Sequence, residues 1–196
     1  MIRRKPVSFV FIIVGVAVIL IALFLMISER QRVKSSAPDK DETLAFLCQI
    51  LPEPINGIKE NRYITAMPVV NYKGSDFAAV IECEKYGTKN PVLAQWNERA
   101  ISRLPCVFYG NPYEGSLVIG GSDKEGQFDF IFSLDKGDEI TITDMSGHLF
   151  KYYVAAIKHS SNANTSSVIN QEADLTLFVK SSKDGLYTIV SCSMHG

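Results

Sequence analysis

The chain has 196 residues, long enough for one domain with a sizeable core plus an appendage. Its formal net charge of −1 hides an asymmetry: the first 34 residues hold six Lys/Arg and one acid, leaving 14 basic against 20 acidic residues, about −6, for the rest. An acidic main part argues against nucleic acid as a partner, because phosphate contacts need clustered Lys and Arg.

Arg3, Arg4 and Lys5 precede Val7–Ile27, a run of 21 residues without a charge. As a helix at ~1.5 Å per residue it would be about 31 Å long, the thickness of a bilayer core. It is too long for a cleaved signal peptide, and Met26-Ile27-Ser28-Glu29 offers no small-residue cleavage site. The expectation is a signal anchor, with residues 1–6 a cytoplasmic tail, 7–27 the transmembrane span and the remainder outside the cell. Arg30, Arg32 and Lys34 follow the span and weaken the positive-inside bias. Residues 28–61 read as a polar tether with a short helix, Glu42 to Leu51, capped by Asp41 and ended by Pro52 and Pro54. Its Leu44, Leu47, Cys48 and Leu51 share one face.

From residue 62 to 196 the pattern is β. Extended stretches are expected at Tyr63–Ala66, Phe77–Cys83, Pro91–Trp96, Ser116–Ile119, Glu139–Thr143, Leu149–Ile157, Asp174–Lys180 and Tyr187–Ser193. Turns are expected around Gly87, at Lys136-Gly137-Asp138, at Met145–His148 and at Ser182–Gly185, with a polar loop from Lys158 to Asn170. About eight short strands with little helix suggest a closed antiparallel barrel. There is no internal repeat.

The four cysteines, Cys48, Cys83, Cys106 and Cys192, contain no C-x-x-C pair, so neither a metal nor a cofactor is expected. Their even number leaves two disulfides open, with no pairing fixed by the sequence. Cys192 and His195 are three apart and on a strand point to opposite faces, which disfavours a Cys–His pair. Cys106 and Cys192 read as core residues, and His148 and His159 as solvated turn and loop residues. Gly120-Gly121 with Gly126 lacks the spacing of a phosphate loop.

The stretch Asp174-Leu175-Thr176-Leu177-Phe178-Val179-Lys180 resembles the strand that carries the nucleophile in sortases, the cysteine transpeptidases of Gram-positive cell surfaces; there it reads much like DLTLFTC. DFAAVIE, NPVLAQW, RLPCVFYGNPYEGSLVIGG, LDKGDEITITDMSGHLFKYYVAAI and TIVSC follow the order and rough spacing of clostridial-type sortases near class B, over Asp76 to Ser193. What the resemblance implies is an eight-stranded sortase-like β-barrel anchored by an N-terminal helix and facing the cell wall.

A sortase uses a Cys thiolate to attack the peptide carbonyl, a His as acid and an Arg beside the oxyanion. The resemblance aligns Lys180 with the Cys, Ser122 with the His in a pattern like LVIAGHN, and Leu186, or Tyr187 if the register shifts by one, with the Arg. None of the three expected residues is present. The implied function is a catalytically inactive protein that binds a sorting-signal-like peptide, a surface protein, another sortase or a pilus component. One alternative is a peptidase or transpeptidase using a Ser122–Lys180 pair facing across the groove, with Tyr187 as oxyanion donor. The other is a structural envelope protein with a vestigial groove.

Overall fold

The computed structural model describes residues 39–56, 66–161 and 172–194, with residue 169 and a helical piece at 15, 16 and 18–22. It divides into two compact units, Met1–Ala37 and Pro38–Gly196. In the first, the described residues are helical and exposed. The rest of the expected span at 7–27 lies outside the described residues, and among those described no helix is long and apolar enough to cross a membrane. The expected strand at Tyr63–Ala66 also lies outside them, except for Ala66.

In the second unit one helix precedes ten strands. Helix α1 is Lys40–Ile50, and the strands are β1 Ile55–Asn56, β2 Val70–Tyr72, β3 Ser75–Cys83, β4 Thr88–Leu93, β5 Cys106–Asn111, β6 Ser116–Ser122, β7 Glu139–Asp144, β8 His148–Ser160, β9 Leu175–Lys180 and β10 Tyr187–Ser193. Eight of them close a ring in the order β3-β4-β5-β6-β9-β10-β8-β7, with β7 returning to β3. β1 adds to β8, and β2 adds to β3.

The expected antiparallel barrel is corrected: the ring closes, but two of its junctions are parallel. β6 and β9 run parallel over six residue pairs, from Leu117↔Leu175 to Ser122↔Lys180. β4 meets β5 in parallel at the single pair Leu93↔Cys106. A parallel pair needs a long crossover, and the chain between β6 and β9 supplies it by building β7 and β8.

Burial follows from which faces are covered. On β9, Leu175, Leu177 and Val179 enter the barrel core with Leu117, Ile119, Ile140, Tyr152 and Val190. On β3, Ala79, Ile81 and Cys83 also face that core, while Phe77 and Val80 pack outward against Leu47 of α1. β3 is covered on both faces, which is why it reads as an unbroken apolar run rather than an alternating one.

Helix α1 begins two residues earlier than the sequence reading, because Asp39 rather than Asp41 caps it, accepting from the amides of Asp41 and Glu42. Thr43 and Leu47 are buried, with Phe46 stacked on Tyr72 at 4.1 Å. Cys48, expected on the packed face, is exposed. The helix is therefore a docked part of the compact unit, which starts at Pro38.

Strand boundaries moved where packing overrode local signals. The strand expected at Pro91–Trp96 runs Thr88–Leu93, so Trp96 belongs to the following loop. β5 was not separated from its neighbours in the sequence because Gly110 and Pro112 break its pattern. β8 continues to Ser160, three residues into the expected polar loop, because its edge there pairs with Tyr187, Thr188 and Ile189 of β10.

Candidate functional site

The parallel pairing of β6 and β9 determines the site. Ser122 and Lys180 are register partners at the carboxyl ends of these strands, and Tyr187 of β10 is the register partner of Lys180. Residues paired in register point to the same face of a sheet. Ser122, Lys180 and Tyr187 therefore form one row on the outer face of the barrel. The expected facing of Ser122 and Lys180 across a groove is corrected to a side-by-side arrangement on one wall.

This row borders a groove of about 410 Å³, the scale of small-ligand sites. Its floor is aromatic. Trp96 stacks on Phe178 at 5.6 Å, and Phe108 meets both edge-on, at 5.0 Å from Trp96 and 5.4 Å from Phe178. Phe178 lies two residues before Lys180 on β9, on the same face. Phe108 is at a β-bulge, between the pairs Val107↔Ile119 and Tyr109↔Val118; the unpaired extra residue of a bulge is free to re-aim its side chain. Ile101 and Ser102, from the loop between β4 and β5, complete the lining with Gly121 and Asp123.

Gly120 makes this floor possible. A Cβ there would lie 2.5 Å from Phe178 and 2.6 Å from Trp96, so any side chain would evict the two rings from the strand. On the opposite face, a Cβ on Gly121 would lie 2.3 Å from Phe128 of the barrel core. The glycine pair lets β6 carry rings closely on both faces.

Polar contacts within the row are sparse. The Ser122 hydroxyl oxygen accepts from the Lys124 amide at 3.3 Å, and it is not hydrogen-bonded to Lys180. Lys180 is exposed, with its Nζ 5.5 Å from the Tyr187 ring centroid, a cation–π contact. Asp123 accepts from the Ser182 amide, tying the loop after β6 to the turn after β9. The Ser182 hydroxyl and then its amide hold the Asp123 carboxyl below its ordinary range. Leu186, the other position aligned with an arginine, does not line the groove: it is 37% exposed, and its backbone closes the Ser181–Leu186 turn.

The remaining chemical candidates lie elsewhere. Cys83, Cys106 and Cys192 are buried and Cys48 is exposed, all four as free thiols. Burial pushes the Cys106 thiol up to about 11 and the Cys192 thiol up to about 12, so both are inert packing residues. His159 is exposed on β8, with its Nδ1 3.1 Å from the Thr188 hydroxyl. His195 lies outside the described residues.

His148 is not the solvated turn residue expected. It packs edge-on against Tyr113 at 5.8 Å, with its Nδ1 2.9 Å from the Ser146 hydroxyl. The fully buried Asp144 organises this corner. Its Oδ1 accepts from the amides of Ser146 and His148 and from the Ser146 hydroxyl, and its Oδ2 accepts from Tyr113. The His148 amide, one of the donors that hold Asp144, fixes the turn, and the contacts with Tyr113 and Ser146 leave the ring only 13% exposed.

The aromatic floor is what the sequence reading missed. Two signals were present: the chain's single Trp, and glycine inside an otherwise apolar strand, which marks a close approach.

No family model and no curated sequence matches the chain. Solved structures do. A sortase D5 transpeptidase of Clostridium perfringens matches with a TM-score of 0.53 at 22% identity, covering 65% of this chain and 82% of that one. Sortase A of Corynebacterium diphtheriae matches with a TM-score of 0.55 at 17% identity, over 78% and 80% of the two chains. The pilus-related sortase C of Group B Streptococcus matches with a TM-score of 0.52 at 19% identity, over 68% and 77%.

Proposed function

Because the chain has the sortase fold, we propose that it is a membrane-anchored extracellular protein that has kept the sortase groove and given up its transpeptidase chemistry. In this reading residues 7–27 are the anchor, and the groove binds a sorting-signal-like peptide or the exposed segment of a surface protein, sortase or pilus component. On the same reading Ser122, Lys180 and Tyr187 replace the sortase His, Cys and Arg, with Tyr187 taken over Leu186 because it borders the groove.

The observation that carries the reading is a groove with an ordered aromatic floor whose described lining holds no cysteine, histidine or arginine. The chemistry of the replacements agrees. A thioester formed by Cys turns over, whereas attack by a lysine amine would leave a stable amide. A serine hydroxyl cannot act as a cationic acid, and a phenol is no substitute for a guanidinium fork. The floor, in contrast, suits binding: three rings offer a large apolar surface beside a polar rim.

A second reading, a Ser–Lys peptidase or transpeptidase, draws support from the register pairing of Ser122 with Lys180. Against it, the Ser122 oxygen is engaged by a turn amide and Lys180 is exposed, whereas a lysine base needs desolvation.

The test uses the full chain in detergent micelles with LPxTG-type peptides and an amine acceptor, followed by mass spectrometry and by Trp96 fluorescence. The binding reading predicts intact peptides, unmodified protein and a saturable fluorescence change. Cut peptide, ligated product or a protein adduct would overturn it. The enzymatic reading would then require that Ser122→Ala and Lys180→Ala each abolish the reaction.

A further inference from the structure

We infer that the groove takes the free α-carboxylate end of a peptide, with the Lys180 ammonium as its counter-ion and the rings of Trp96, Phe108 and Phe178 holding an apolar side chain upstream. The inference rests on the peptide-binding reading of the groove and adds which end of which kind of chain binds there.

The first support is that Lys180 is in no ion pair among the described residues. Lys89 on β4 holds Glu82 at 2.9 Å, and Lys151 on β8 holds Glu139 at 2.8 Å. Among the described residues, no carboxylate lies within 4.0 Å of Lys180. Its neighbour is the face of Tyr187, which attracts the cation but offers it no oxygen. A carboxylate meeting this ammonium gains a charge-assisted hydrogen bond without displacing an existing ion pair.

The second support is the state of Asp123, the other charged group of the lining. Its carboxylate is already engaged by Ser182. These hydrogen bonds fix the carboxylate in place without cancelling its charge, and it forms no ion pair with Lys180, the one lysine or arginine of the described lining.

The third support is the tie at the ends of β6 and β9. Asp123 follows Ser122, and Ser182 lies two residues after Lys180. Their hydrogen bond joins the loop after β6 to the turn after β9 just beyond the row. A chain laid along β9 over Phe178 and Lys180 would reach this tie next, and a chain that ends at Lys180 avoids it.

The chain's single tryptophan is Trp96, so its emission reports the groove directly. The full chain in detergent micelles is titrated with acetyl-Leu-Pro-Ala-Thr as the free acid and as the amide. The acid is expected to bind about tenfold tighter at low salt, and the advantage to shrink as salt shortens the Debye length. Lys180→Met should bring the acid to the level of the amide, and Lys180→Arg should keep the preference. An amidated peptide ending in glutamate separates the two sources of a carboxylate, and should bind no better than the plain amide. Equal binding of acid and amide, a preference that survives Lys180→Met, or a glutamyl amide as tight as the acid would each overturn the inference while leaving peptide binding intact. Failure of every peptide to bind would overturn both.

Discussion

The barrel carries two polar clusters that each include a serine and a tyrosine, and they behave oppositely. At the β7–β8 corner, Asp144 has no exposed surface and receives hydrogen bonds from Tyr113, Ser146 and His148. At the ends of β6 and β9, Ser122, Lys180 and Tyr187 stand in one row with no hydrogen bond between Ser122 and Lys180. The corner combines a serine, a histidine and an aspartate, the residue types of a hydrolytic triad, yet all of it is used to close a turn. The groove row has no such set, yet its polar groups face a cavity. Buried polar groups that satisfy one another hold a fold. Polar groups left open beside an apolar floor are available to a ligand.

The comparison can be broken first at the corner. Asp144→Ala leaves several buried donors unpaired and should cost about 3 kcal/mol of stability in urea unfolding. A loss below ~1 kcal/mol would mean that the corner is not structural.

Gly120→Val tests the floor. Its side chain must displace Phe178 and Trp96, so a loss of about 1–3 kcal/mol is expected together with a changed Trp96 emission spectrum. Unchanged emission would show that the rings do not pack on β6.

Tyr113→Phe removes one donor from Asp144 and leaves the ring edge-on against Phe150, at a cost of about 1–2 kcal/mol by the same unfolding assay.

The smallest effects belong to the row. Lys180→Met and Ser122→Ala should each change stability by less than ~0.5 kcal/mol, because neither side chain is buried or in an ion pair among the described residues. A loss comparable to that of Asp144→Ala would make the row a structural element and remove the contrast.

How much of this was legible beforehand differs between the elements. The apolar runs of β3 and β9 and the turn glycines announced a barrel, since strands covered on both faces leave a strong signal. The parallel union of β6 with β9 did not show, because pairing between segments more than fifty residues apart leaves no local mark. That union is what makes neighbours of Ser122 and Lys180. Trp96 was visible as a lone aromatic, but its role depends on a bulge at Phe108 and on the missing Cβ of Gly120, both of which are properties of packing. His148 read as solvated because sequence shows the turn but not the aspartate that fills it.

The most direct measurement is hydrogen–deuterium exchange of the full chain in micelles, with and without a saturating sorting-type peptide, while mass spectrometry follows the peptide. The account predicts protection over Trp96–Phe108, Ser116–Lys124 and Thr176–Tyr187, no change at the Asp144 corner, and a peptide recovered intact. Protection instead on the face formed by Glu82, Glu139 and Lys151, or a cleaved peptide, would contradict it.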